Sequence, residues 1–364
     1  LITEFSMMRE FDILSRQTSI NYKDENKDLK VFSNEFNLDF IVTGGIRASG
    51  KRVRINIELS DAKDESIIWS NKYDRVIEDI FDLQDEIVRK ISIALLGEIE
   101  ISSLQRSKRK PTENISSYEY LLRGKENHHK FTKESNKQAL ENFDKAIASD
   151  VNNAQAYAWK VCTLGQAMFR GFSDQDASEL MTEAKKNIDK ALELNENDFE
   201  CHRMLSAVYL SNHDYILAED HGMKSYNMVP NDPRVLSGYG EVLVRVGKVD
   251  KGLELLNKAY DLDPIPQGQS TSDNRIKDLI LGYFFADNFT KTIELSFDLR
   301  EIDTRSLAII LYSRSKLNQD IASYNEYVLL KDKFKEIDWD QTVERFHIPD
   351  EILKVNLINF MKSI

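Results

Sequence analysis

The residues that decide the fold run from Phe199 to Pro264: FECHRMLSAVYLSNHDYILAEDHGMKSYNMVP (199–230), then Asn231-Asp232, then PRVLSGYGEVLVRVGKVDKGLELLNKAYDLDP (233–264). Around them the small residues Ala191, Ser225 and Ala259 recur at steps of 34, and Glu196, Pro230 and Pro264 follow each by five residues. A 34-residue period describes a helical hairpin whose small residue lets the second helix close on the first. Proline lacks an N–H and cannot extend the ladder, so Pro230 and Pro264 mark the ends of second helices. The spacing predicts Phe199–Asn212 packed on Asp214–Val229, with Leu205, Tyr209, Tyr215 and Ala218 between them. It also predicts Pro233–Val246 packed on Val249–Asp263, with Tyr239, Gly240, Gly247 and Gly252 at the packing positions.

The pattern, that of the tetratricopeptide repeat (TPR), extends both ways. Ser117–Lys130 pairs with Lys133–Ser149, where Phe143 and Ala146 fill the inner positions. From Ala146 to Ala191 the step is 45, which leaves about eleven extra residues near Phe169–Ala177 for a longer loop or helix. Beyond Pro264 the run IPQGQSTSD reads as a loop, followed by Asp273–Ala286 with Phe289–Leu299, Arg305–Leu317 with Asp320–Phe334, and a last helix Asp350–Met361. End units of a solenoid are degenerate because they cap the stack. The reading is thus TPR-like repeats over 116–340, in four to six helical pairs, and a capping helix over 341–364.

The first hundred residues read as α/β. Phe11–Thr18 reads as a strand and Asp28–Asn37 as a helix; Asp39–Ala48 and Lys51–Asp61 are strands joined at the turn pair Ser49-Gly50. In the second of these, Val53, Ile55, Ile57 and Leu59 alternate with Arg52, Arg54, Asn56 and Glu58, as a half-buried strand requires. Ser66–Tyr73, carrying Trp69, is a third strand, and Asp79–Ile99 is a long helix with a stripe of Leu83, Ile87, Ile91, Ala94 and Leu95.

The run DFIVTGGIRASGKRVRINIELSDAKDESIIWSNKYDR, with IEDIFDLQDEIVRKI after it, resembles the TolB amino-terminal-like domain. The next segment, RKPTENISSYEYLLRGKENHHKFTKESNKQALENFDKAIASD, is similar to the opening of the TPR array in bacterial class III adenylate/guanylate cyclases. The resemblance covers roughly Leu1 to Pro264. It implies a domain over 1–105 that has lost its first strand, because Leu1 falls inside an amphipathic helix (Leu1, Ile2, Phe5, Met8); the sheet is then an incomplete mixed one. It further implies a regulatory region whose output domain, a nucleotidyl cyclase, lies upstream in the same polypeptide, with a homodimer formed through that catalytic domain. The same sensor and TPR array also follow winged helix DNA-binding domains, and a free-standing TPR adaptor is a third reading.

Composition narrows the classes. Of 364 residues, 41% are hydrophobic and 30% charged, as in a folded globular chain. A net charge of −12 argues against a general nucleic-acid surface. The basic run Arg106–Pro111 is read as a hinge within a linker over 106–115. Two cysteines, Cys162 and Cys201, define no disulfide framework and point to the cytoplasm; an upstream membrane helix in the parent would place the region on the other side.

No catalytic constellation emerges, and no cofactor or metal is expected. His128-His129 are neighbours on a helix, whereas helical metal pairs sit four apart, so they read as a solvated face. Cys201-His202 are adjacent and do not face each other. Gly44-Gly45 with Gly50 lies in a hairpin and lacks dinucleotide-loop spacing. Asp82, Asp85 and Glu86 read as a solvent face. What remains is recognition of a protein or peptide. TPR register assigns to a concave groove Gln155, Ala158 and Cys162, then Glu200, Arg203 and Ala207, then Arg234, Glu241 and Arg245. Arg203, Arg234 and Arg245 suit carboxylates of a peptide; the competing reading pairs them with Glu200, Glu241 and their neighbours on a solvated surface. A carboxylate clamp is not expected, because Ala158-Trp159 and Ser237-Gly238 stand where it needs polar side chains.

Overall fold

A computed structural model describes residues 2, 12–25, 29–50, 52–76, 80–109, 115–264 and 273–364. The chain divides into two compact units, Leu1–Lys110 and Pro111–Ile364.

In the first unit, α1 (Arg16–Glu25) and α2 (Leu29–Phe36) precede β1 (Phe40–Ser49), β2 (Arg52–Asp61), β3 (Ile67–Val76) and the long α3 (Ile80–Arg109). The strand expected over Phe11–Thr18 is not formed: residues 12–15 carry no regular structure and α1 starts at Arg16. The reason is local. Ser15 Oγ accepts from the Thr18 amide at 3.1 Å, which satisfies an otherwise orphaned helix donor. Strand order is β1-β2-β3, and each described pairing is antiparallel, from Phe40↔Asp61 to Ser49↔Arg52 in the hairpin. A register shift at Leu59/Ser60 marks a bulge against β3.

Period-two alternation in β2 works as expected: Ile57 and Leu59 are buried, while Arg52, Arg54 and Asn56 are exposed. The buried face joins Ile91, Leu95 and Ile99 of α3 in one core, with Trp69 and Tyr73 at its margin. That helix continues through Arg109, so residues 106–109 of the expected linker are helical. Lysine and arginine there suit the negative end of the helix dipole. The expected helix at Leu1–Met8, and most of the loop after Pro264, lie outside the described residues.

The second unit is an all-α solenoid of TPR type. Its hairpins are α4 (Ser117–His128) with α5 (Lys133–Ser149), α6 (Ala154–Arg170) with α7 (Ala177–Leu194), and α8 (Phe199–Ser211) with α9 (Tyr215–Met228). Then come α10 (Pro233–Arg245) with α11 (Val249–Leu262), α12 (Asn274–Phe285) with α13 (Phe289–Ser296), and α14 (Thr304–Lys316) with α15 (Asn325–Lys333). Two closing helices, α16 (Trp339–Glu344) and α17 (Glu351–Ser363), complete it. The longer step before Ala191 is taken up by 17- and 18-residue helices at α6 and α7.

The repeated small residue has a visible job. Ala146, Ala191, Ser225 and Ala259 are buried at the ends of α5, α7, α9 and α11. In each case the carbonyl accepts the amide of the residue that closes the helix: Asp150, Asn195, Val229 or Asp263. Asn153, Asp198 and Asp232 then cap the next helix. Helices α9 and α11 end two residues short of Pro230 and Pro264, as the restriction on the residue before proline demands. Between α10 and α11 the backbones touch: a Cβ on Gly240 would lie 3.0 Å from Gly252 O, and one on Gly252 would lie 2.8 Å from Gly240 O.

Candidate interaction groove

The register-assigned positions fall on the first helices α6, α8 and α10, yet they do not form one open row. Arg203, Arg234, Glu241, Gln155 and Cys162 are half-buried and Ala207 is exposed. Ala158, Glu200 and Arg245 are buried, so these three cannot present themselves to a partner as a solvated surface would. The pairing half of the competing reading holds, since Arg203 meets Glu200, Arg234 meets Asp232 and Arg245 meets Glu241.

At one end the centre is Trp159, which sequence register passed over in favour of its neighbour Ala158. Its indole Nε1 donates to Glu200 Oε1 at 3.2 Å. Lys125 Nζ and the Arg203 guanidinium lie 5.5 and 5.6 Å from the ring centroid, within cation–π range. Arg203 also grips Glu200 through Nε at 2.8 Å and Nη2 at 3.0 Å. Burial raises the pKa of Glu200, but Arg203, Arg234 and Lys125 more than offset it and hold the carboxyl well below its ordinary range. Arg234 stacks over Phe199 at 5.6 Å. Among the described residues, two buried polar atoms here have no hydrogen-bond partner, Gln155 Oε1 and Arg275 Nε.

A second charged cluster joins α10, α12 and α14. Glu241 pairs with Arg245 at 3.0 Å and with Arg305 at 3.5 Å. Ser237 Oγ donates to Asp278 Oδ2 at 2.5 Å. Burial, reinforced by the Glu241 charge, raises the pKa of Asp278 to about 6. The Arg245 side chain is only 1% exposed and reaches the chain's own C-terminal segment. Its Nε donates to His347 O at 3.2 Å and its Nη2 to Phe346 O at 3.3 Å.

The histidines correct the expected solvated face. His128 is buried, with Nδ1 2.9 Å from Thr163 Oγ1 and Nε2 3.8 Å from Cys162 Sγ. Burial drops its pKa to about 3 and raises that of Cys162 to about 11, so the pair is a neutral packing contact and not a thiolate–imidazolium dyad. His202 Nδ1 lies 2.8 Å from His221 Nδ1, while His202 Nε2 lies 2.8 Å from Glu196 O. A carbonyl can only accept, so His202 carries its proton on Nε2 and His221 donates from Nδ1. Among the described residues no group of three or more His, Cys, Asp or Glu could hold a metal ion, and no helix is long and apolar enough to cross a membrane. The side chains of Asp82, Asp85 and Glu86 lie outside the described set.

Comparison with known proteins divides along the chain. Residues 1–105 match the model of the HilA/YgeH-like transcriptional regulator, second domain. "Putative adenylate cyclase 3" of Rhizobium meliloti (strain 1021) is 27% identical over 158 residues, which are 43% of this chain and 27% of that protein. "Transcriptional regulator HilA" of Salmonella typhimurium is 22% identical over 239 residues, which are 65% of this chain and 42% of that protein. The chain therefore spans less than half the length of either relative. Among solved structures, pilF of Pseudomonas aeruginosa aligns with 59% of this chain and 95% of its own, at 13% identity and TM-score 0.42. A thermophilic TPR protein of Thermus thermophilus aligns with 56% of this chain and 100% of its own, at 15% identity and TM-score 0.41.

Proposed function

We propose that this chain is the non-catalytic, protein-binding region of a HilA-like transcription regulator, and that its solenoid groove takes a protein or peptide partner. The observation that carries the reading is the match of residues 1–105 to the second domain of that regulator family. The winged helix alternative drawn from the sequence is thereby favoured over the cyclase. In this reading the DNA-binding output domain lies in the same polypeptide, and partner capture by the solenoid changes how that domain acts.

Groove chemistry supports a partner over a small substrate. The cavity lined by Val161, Leu164, Met168, Leu180 and Val208 has a volume of about 10 Å³. That is room for about one water; the wider cavity, about 460 Å³, lies on the sheet of the first unit between Thr43, Asn56, Ile57 and Ser70. Trp159, Lys125 and Phe199 are buried and back the half-buried guanidinium groups of Arg203 and Arg234, which are the groups here that suit the carboxylates of a peptide. A test is Ala207→Arg in the gene product that contains this chain. The exposed Ala207 tolerates the longer side chain, so the melting temperature should hold while regulation of a reporter promoter is lost. Unchanged regulation by the folded variant would remove the groove from the function.

A second reading, a regulatory region of a nucleotidyl cyclase, rests on the 27% identity to the Rhizobium meliloti protein. It predicts cyclic nucleotide formation by the same gene product.

A further inference from the structure

Arg245 stands at a groove position by repeat register, and the structure already fills that position. The occupant is a segment about a hundred residues further along the chain. Phe346 and Ile348 are each 4% exposed, packed in the same core as Ile280, Leu307 and Leu311 of α12 and α14. His347 between them turns the other way, its ring 5.0 Å from His213 at the α8–α9 turn. Residues 347–350 belong to no helix or strand, and His347 has a left-handed φ of 53°. The two carbonyls that Arg245 grips are backbone groups, so that grip does not depend on which side chains the segment carries. Sequence enters through the two apolar pockets. The segment thus runs beside the α8–α9 turn, α10, α12 and α14.

From this seating we infer that the groove at Arg245 is a receptor site for a segment that turns at its middle residue and bears an aromatic and an aliphatic side chain two residues apart. Phe346–Ile348 is its resident intramolecular ligand, which a partner segment of the same chemistry must displace. This rests on the groove reading above. A tethered ligand competes at an effective concentration in the millimolar range, so removing it should tighten binding of a free segment by tenfold or more. The inference is read by peptide binding and hydrogen exchange, the function by promoter regulation, so the two can fail separately.

The test uses a labelled synthetic peptide spanning residues 343–351 and the full chain with Phe346→Ser and Ile348→Ser together. The loosened chain should bind the peptide at least tenfold more tightly than the parent does, and Arg245→Met in the loosened chain should abolish the gain. Equal binding by parent and loosened chain would overturn the inference. Because the double variant could lose its fold, hydrogen exchange on the parent chain gives an independent reading. Amides of residues 345–348 and of Asp350 should open at least tenfold faster than those of α14. Exchange only together with α14 would make the segment ordinary core and contradict the inference.

Discussion

Trp159 Nε1 donates to Glu200 Oε1 at 3.2 Å, tying α6 to α8 through a carboxylate whose side chain is 0% exposed. A buried charge of this kind is stable only while its partners stay in place. Truncating one partner should therefore cost far more than weakening the other. Glu200→Ala, which strands Arg203 beside Trp159, should destabilise the solenoid by about 3–5 kcal/mol. Trp159→Phe, which keeps the ring and removes one hydrogen bond, should cost about 1 kcal/mol from that bond. Urea unfolding followed by circular dichroism measures both, and equal losses would show that Glu200 is not the anchor.

The α10–α11 contact depends on two hydrogens where other residues carry a methyl. Gly252→Ala would place a Cβ 2.6 Å from Val244 Cγ1 and 2.8 Å from Gly240 O, against backbone that cannot withdraw cheaply. A loss of about 1–3 kcal/mol is expected from overpacking. Gly45→Ala, where a Cβ meets nothing within 4 Å, serves as the control in the first unit. The same urea curves separate the two.

Acid should loosen the array through its buried imidazoles. Burial lowers the pKa of His128 to about 3, and lowers His221 and His347 to about 4 from 6.5. Neighbouring basic groups help, with His129, Arg203 and Arg170 acting on His128, and His202 and Lys224 on His221, against the opposing charge of Asp220. At His347, Arg245, His213 and Arg305 act against Glu241. A depressed histidine binds fewer protons folded than unfolded, so its stabilising effect is present above 6.5 and lost as pH falls towards 4. The melting temperature should drop by about 5 °C or more across that window, and a flat profile would count against neutral burial.

Asp278 runs in the opposite sense. Its folded pKa, raised from 3.8 to about 6, means that the folded state holds the proton longer, so its contribution to stability falls as pH rises through that interval. Asp278→Asn keeps an acceptor for Ser237 and removes the charge beside Glu241. The variant should gain about 2–4 °C over the parent at about pH 7.5 and lose that advantage near about pH 4. A gain independent of pH would assign the effect to packing.

Much of the architecture was legible because it is periodic. Ala191, Ser225 and Ala259 gave the helical hairpins their phase, and Val53 to Leu59 gave β2 its buried face, since both periods follow from backbone geometry alone. What was hidden depends on single contacts. Ser15 capping α1 outweighed the apolar look of Phe11–Thr18, because one hydroxyl settles which way an ambiguous segment folds. Register assigned Glu200 and Arg245 to the groove, whereas both side chains are buried. Trp159 closes over the one and Phe346-His347 over the other, and repeat spacing carries no information about a contact a hundred residues away. The imidazole pair His202–His221 was equally invisible, as its partners lie on different helices 19 residues apart.

A transcription regulator and a cyclase are told apart by purifying the gene product that contains this chain. Cyclic AMP and cyclic GMP formation and retention of promoter DNA upstream of its target genes should be measured on the same preparation. Sequence-selective DNA retention, lost on competition with the specific fragment, and no cyclised nucleotide are expected. Cyclic nucleotide formed in proportion to protein, with no selective DNA retention, would contradict the regulator reading and make this chain the regulatory region of a cyclase.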